Sequence, residues 1–175
     1  MTSADAFSPI TISTLTDAFE GNPVDGSLNV IERKDAEREA SAEDWFDRAI
    51  ELEDADVDSA IGAYEHALTA KPTLLEAAIN LGRLLHEARR YKQAERVYRG
   101  WIEANGNDPL LLFNFGVLLE DMDRKKEAKV AYEAALDGDP RLADCHYNLA
   151  LLCEELDKPQ EAIRHMAQYR RLKKS

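Results

Sequence analysis

At 175 residues and 45% hydrophobic content, the chain suits one domain with a packed core. It carries 34 acidic against 22 basic residues, a net charge of −12, and the excess is uneven: residues 1–60 hold 16 acidic and 4 basic residues, while residues 61–175 hold 18 of each. That balance excludes a nucleic-acid surface, which needs a basic stripe; no apolar run approaches the ~18 residues of a membrane helix, and no basic start with an apolar core marks a secretion signal.

Residues 1–40 are rich in Ser and Thr, and Pro9, Gly21, Pro23 and Gly26 interrupt any long helix, so they read as a mostly disordered acidic tail. Within them Ile10 to Leu15 alternates as a strand does, and Val30 to Glu39 has helical character. Ser41-Ala42-Glu43-Asp44 reads as a capping box that opens a helix before Trp45. From there a 34-residue period takes over. Ala60, Ala94, Ala128 and Ala162 recur at that spacing, each followed four residues later by Tyr64, Tyr98, Tyr132 and Met166. Leu81, Phe115 and Leu149 share the period, as do Gly82, Gly116 and Ala150, and Asn80, Asn114 and Asn148. Such a period marks a two-helix unit that buries its apolar face only by stacking on a neighbour, so the prediction is an all-α, α-α solenoid. Asn107-Asp108-Pro109 offers a capping residue and then Pro at the first helical position, and Asp157-Lys158-Pro159 does the same for the final helix. That helix solvates its outer face with Arg164, Arg170, Arg171, Lys173 and Lys174; self-association through an open C-terminal end is a further expectation.

These rows closely resemble the tetratricopeptide repeat family, over about 135 of the 175 residues. The register gives four units: 41–74, 75–108, 109–142 and 143–175. Units two to four open with Leu81-Gly82-Leu85, Phe115-Gly116-Leu119 and Leu149-Ala150-Cys153; unit one fits with a one-residue slip, through Trp45, Ala49 and Leu52. Pro72 and Pro140 stand where the family has Pro, and unit two has Gly106 instead. The family often places a left-handed Gly after its first helix; here Arg89, Asp123 and Asp157 occupy that place, and since Arg tolerates the conformation poorly the turn after Ala88 is expected to differ. Trp101 replaces the small residue seen as Ala67 and Ala135; it either fills a gap between units two and three or pushes them apart, and reads as core packing.

The resemblance implies that the first helix of each unit lines a concave groove. Ile79, Phe113 and Tyr147 then form one row, Arg83, Val117 and Leu151 a second, and Asn80, Asn114 and Asn148 a third, with an acidic edge of Glu87, Glu120, Asp121, Glu154 and Glu155 beside His86. An Asn ladder can pair with the backbone of an extended peptide, as in the superhelical repeats of protein O-glycosyltransferases, or it can bond locally. The basic clamp with which co-chaperone repeats grip a terminal carboxylate is missing, because Arg83 is the lone base and Asp144 repels a carboxylate. No enzyme constellation is present, so no catalytic residue, cofactor or metal is assigned. His66, His86, His146 and His165 lack zinc-site spacing, and no Gly-rich phosphate loop occurs. Cys145 and Cys153, about 12 Å apart on one helix, read as buried thiols of a reducing, cytoplasmic compartment. The expected function is a protein-interaction module or scaffold that takes an extended or helical segment of a protein partner, with apolar anchors and some basic character, and binds no nucleic acid or membrane. The alternatives are the repeat region of a relative of MerR-like transcription regulators lacking its DNA-binding part, which Trp45-Phe46, Asn80 to Glu87 and His146 to Ala150 resemble, and an enzyme-subunit scaffold.

Overall fold

Four antiparallel helix pairs succeed one another in the computed structural model, which describes residues 40–174. They are α1 (Ala42–Leu52) with α2 (Val57–Ala70), α3 (Leu75–Glu87) with α4 (Tyr91–Asn105), α5 (Pro109–Asp121) with α6 (Lys125–Gly138), and α7 (Ala143–Glu155) with α8 (Pro159–Leu172). There is no strand among the described residues. Every helix from α4 onward starts 34 residues after its counterpart, as the period predicts, and α3 starts 33 after α1, matching the slip of unit one. The chain is thus an α-α solenoid, and no described helix is long and apolar enough to cross a membrane. The tail and its two short candidate elements fall outside the described residues.

Local chemistry sets the helix starts. Ser41 caps α1 in a full capping box with Asp44, and Asp56 caps α2 through the Ser59 N–H. Asp108 accepts from the N–H groups of Leu110 and Leu111, with Pro109 as the first helical residue of α5. The expected equivalent at α8 is wrong in part. Pro159 does begin the helix, but the N-cap is Lys158, which makes no side-chain cap bond. Asp157 has φ 57° and belongs to the preceding turn.

The turns after the first helices are uniform, which corrects the expectation for Arg89. Arg89, Asp123 and Asp157 all adopt the left-handed conformation, with φ of 58°, 58° and 57°. The residue after each returns its N–H to the helix: Arg90 to Leu85 O (2.8 Å), Arg124 to Leu119 O (2.9 Å) and Lys158 to Cys153 O (2.8 Å). Two orphan carbonyl groups per turn are satisfied by this geometry, and that gain carries even an arginine into it.

The repeating small residues make the close contacts. Ala60, Ala94 and Ala128 are completely buried and Ala162 nearly so. A Cβ on Gly82 would lie 2.2 Å from the Tyr98 ring, and one on Gly116 would lie 2.5 Å from the Tyr132 ring. Each glycine therefore admits the ring of its own unit. Unit four has Ala150 and the slimmer Met166 in the same two places. Ala49, the slipped residue of unit one, is fully buried, with Trp45 and Leu52 packed against the core.

Unit two departs from this scheme. Trp101 is half-buried and lines a hollow with Leu68 and Pro72 of unit one and Ala78 of α3. Its indole N–H is buried with no partner. An indole cannot occupy the space that the fully buried Ala67 and Ala135 leave in units one and three. In the same unit α3 and α4 pack less closely than the helices of other units, and α5 is met by α3 as well as by α4. Trp101 packs against the core, as the sequence reading expects, but it faces unit one rather than the gap between units two and three.

Candidate protein-binding groove

The first helices α3, α5 and α7 carry the three expected rows, and the exposed apolar members are on α7. Ile79 and Phe113 are half-buried against the core, and the Phe113 ring lies 5.9 Å from that of Tyr132. Tyr147 is 40% exposed, beside the Tyr169 ring at 5.1 Å. In the second row Val117 is half-buried and Leu151 is 38% exposed. Arg83 is engaged on both sides: one guanidinium nitrogen donates to Glu53 of unit one at 2.5 Å and the other to Glu87 at 2.8 Å. Within these rows, open apolar surface therefore lies on unit four, at Tyr147 and Leu151.

The asparagines do not form a uniform ladder. Asn80 donates to the Tyr64 hydroxyl at 3.1 Å, and that hydroxyl donates to Glu53 at 2.5 Å. Asn148 reaches the Tyr132 hydroxyl at 3.5 Å, which donates to Glu120 at 2.9 Å. These Asn–Tyr–Glu relays tie unit two to unit one and unit four to unit three. Between units two and three the relay is missing. The acid's place is taken by His86, which pairs with Asp121 at 2.7 Å, and Asn114 donates instead to Leu110 O of its own helix at 2.8 Å. The local-bonding reading thus accounts for one N–H of each amide. The amide oxygens of Asn80, Asn114 and Asn148 accept no hydrogen bond among the described residues.

The acidic edge is partly neutralised. Burial, with Glu155 and Asp121 adding to it, holds the Glu120 carboxyl above its usual range against the Tyr132 hydrogen bond. Glu155 pairs with Lys125 at 3.1 Å, and Asp144 with Lys173 at 3.1 Å. Glu154 has no ion-pair partner among the described residues.

Both cysteines are free and buried. Burial pushes the Cys145 thiol up to about 12 and raises Cys153 as well, so neither is a ready nucleophile. His146 donates from Nε2 to Pro140 O at 3.1 Å, and its Nδ1 lies 2.9 Å from Nδ1 of His165. No cluster of three or more metal-ligating side chains occurs among the described residues.

One row escaped sequence reasoning although its period is plain: Arg90, Arg124 and Lys158, 34 apart, at the starts of the second helices. Arg90 pairs with Asp58 of unit one, and Arg124 with Glu95 of unit two at 2.6 Å, so two of the three bind the preceding unit.

Two sequence profiles, both described as tetratricopeptide repeat, match residues 51–112 and 113–175. No curated protein sequence matches the chain. Among solved structures, MamA from Desulfovibrio magneticus RS-1 (residues 41 to the end) is similar at 20% identity and a TM-score of 0.68, covering 84% of this chain and 84% of that one. A second MamA structure is 21% identical with a TM-score of 0.67, covering 75% of this chain and 73% of that chain. A tetratricopeptide repeat protein from Parabacteroides merdae ATCC 43184 is 18% identical with a TM-score of 0.65, covering 73% of this chain and 51% of that chain. At these identities the likeness is one of fold.

Proposed function

The chain belongs to the tetratricopeptide repeat family, and from that premise we propose that it is a protein-binding scaffold that holds an extended or helical partner segment along its first-helix face. One observation carries the reading. Tyr147 and Leu151, one helical turn apart, are both exposed large apolar residues on a first helix. They lie on the helix that also presents the unoccupied amide oxygen of Asn148. Apolar anchors beside acceptors suit a segment with apolar side chains and free backbone N–H groups. The unpaired Glu154 favours a basic residue next to the anchor, an attraction that salt weakens. Ile79 and Phe113 serve as walls, since both are half spent on the core. Arg83, engaged by two carboxylates, serves unit cohesion more than binding.

Photo-crosslinking from a benzophenone side chain tests this reading. Placed at Tyr147 in the full chain, it captures a partner from the native host; placed at Glu65, exposed on α2, it does not. With the captured protein in hand, Tyr147→Ala with Leu151→Ala weakens binding about tenfold or more. A partner that binds the folded double variant as well as the parent overturns the reading.

A further inference from the structure

On the opposite face, a groove of about 670 Å³ lies between α4 and α6, floored by Leu112, Phe115 and Leu119 of α5. Ile102 stands on the α4 wall and Val130 on the α6 wall, and Val130 is 65% exposed. Two of the four rim charges are already matched. Arg99 lies over the Phe115 ring at 5.0 Å and bonds Glu95 at 2.8 Å and Glu127 at 3.4 Å. Glu127 also takes Arg124 at 2.6 Å. Two rim charges have no partner among the described residues: Glu103 on the α4 wall and Lys126 on the α6 wall.

Their placement is the informative part. α4 and α6 are equivalent helices of successive units and run the same way. Glu103 is third from the end of α4 and Lys126 is second in α6. By the period, Asp137 of α6 is level with Glu103, and Lys126 lies 11 residues before it, about 16 Å along the groove. One unmatched anion and one unmatched cation thus sit at diagonal corners of an apolar slot, with Val130 between their levels. A two-fold axis across that diagonal brings each Lys126 to the other copy's Glu103 and lays each Val130 into the other copy's groove. A surface that complements itself in both charge and shape is what an isologous contact requires.

We infer that the second-helix face of units two and three is a two-fold interface between copies of this chain. The apolar floor supplies the affinity, and the two corner ion pairs set the register. This inference is independent of the proposed partner groove, which lies on the other face. Sedimentation equilibrium of the full chain from micromolar to millimolar concentration shows a monomer–dimer equilibrium. Val130→Glu, a change at an exposed site that leaves the helical circular dichroism intact, abolishes the dimer. Lys126→Glu or Glu103→Lys alone weakens it about tenfold by placing like charges together, and the two changes combined restore it to within about threefold of the parent. A chain that stays monomeric throughout, a larger assembly, a dimer that survives Val130→Glu, or a double reversal weaker than either single change overturns the inference.

Discussion

At the scale of single residues, the tightest constraint is the contact between a glycine and a ring. Gly116→Ala puts a methyl group 2.5 Å from a ring atom of Tyr132, which is fully buried and cannot swing aside. The helix propensity gained by Ala is about 1 kcal/mol. Overpacking costs about 1–3 kcal/mol and relaxes poorly here, toward the upper end, so a net loss of up to about 2 kcal/mol in urea denaturation is expected. Adding Tyr132→Met, the pair found in unit four, recovers part of the loss; strictly additive effects in that double-mutant cycle refute the contact. The glycine row is legible in the sequence because it repeats. Its partner ring becomes visible only when the helices are set side by side. A second residue-scale prediction concerns the left-handed turns. A non-glycine residue there costs about 1–2 kcal/mol, partly offset by the extra freedom of Gly in the unfolded chain. Arg89→Gly is therefore expected to stabilise by about 0.5–1 kcal/mol, and Asp123→Gly by less, since Asp tolerates the conformation better. A lower melting temperature for Arg89→Gly contradicts this account.

At the scale of elements, α7 and α8 meet through a histidine pair. Burial lowers the His165 value below its ordinary 6.5, and His146, Lys129 and Arg164 push the same way against the opposing pull of Glu133. The folded state thus refuses a proton that the unfolded chain accepts once the pH drops below 6.5. Stability is unaffected above that value, falls as pH is lowered through it, and levels off below the folded value. Comparing the melting temperature of His165→Gln with the parent between about pH 7 and pH 5 isolates the effect: the parent loses more than the variant. Parallel curves contradict the pairing. The histidines are plain in the sequence, yet their approach is not, because 19 residues and a helix reversal separate them. Capping shows the same divide. The cap of α5 is legible because Asp108 and Pro109 adjoin, whereas Asp157 reads as a cap until the left-handed turn is known to claim it.

At the scale of the molecule, the architecture was legible because a solenoid is built from near neighbours: a 34-residue period specifies every contact that matters to the fold. The groove was less so. Whether an asparagine faces a ligand or a neighbour's tyrosine depends on a third residue in another helix, Glu53 or Glu120 in two units and His86 in the one between. The variant Asn80→Ala, Asn114→Ala, Asn148→Ala therefore weakens partner binding and also costs about 0.5–1.5 kcal/mol for each relay it breaks. Circular dichroism melts separate the two effects, and full binding by the folded variant removes the asparagines from recognition. Residues 41–175 alone are expected to melt cooperatively, since the period begins at Ser41; loss of cooperativity would make the preceding residues part of the core.

The missing relay and the looser packing of α4 on α5 fall at the same junction, between units two and three. The junction is bridged by other means: α3 packs directly on α5, Arg124 of unit three pairs with Glu95 of unit two at 2.6 Å, and Arg99 lies over the Phe115 ring. In a linear array, cooperativity passes through each nearest-neighbour coupling in turn, and here two arginines carry much of it. Arg99→Ala with Arg124→Ala should therefore split native-state hydrogen exchange into two protection classes, α1–α4 and α5–α8, before global unfolding is reached.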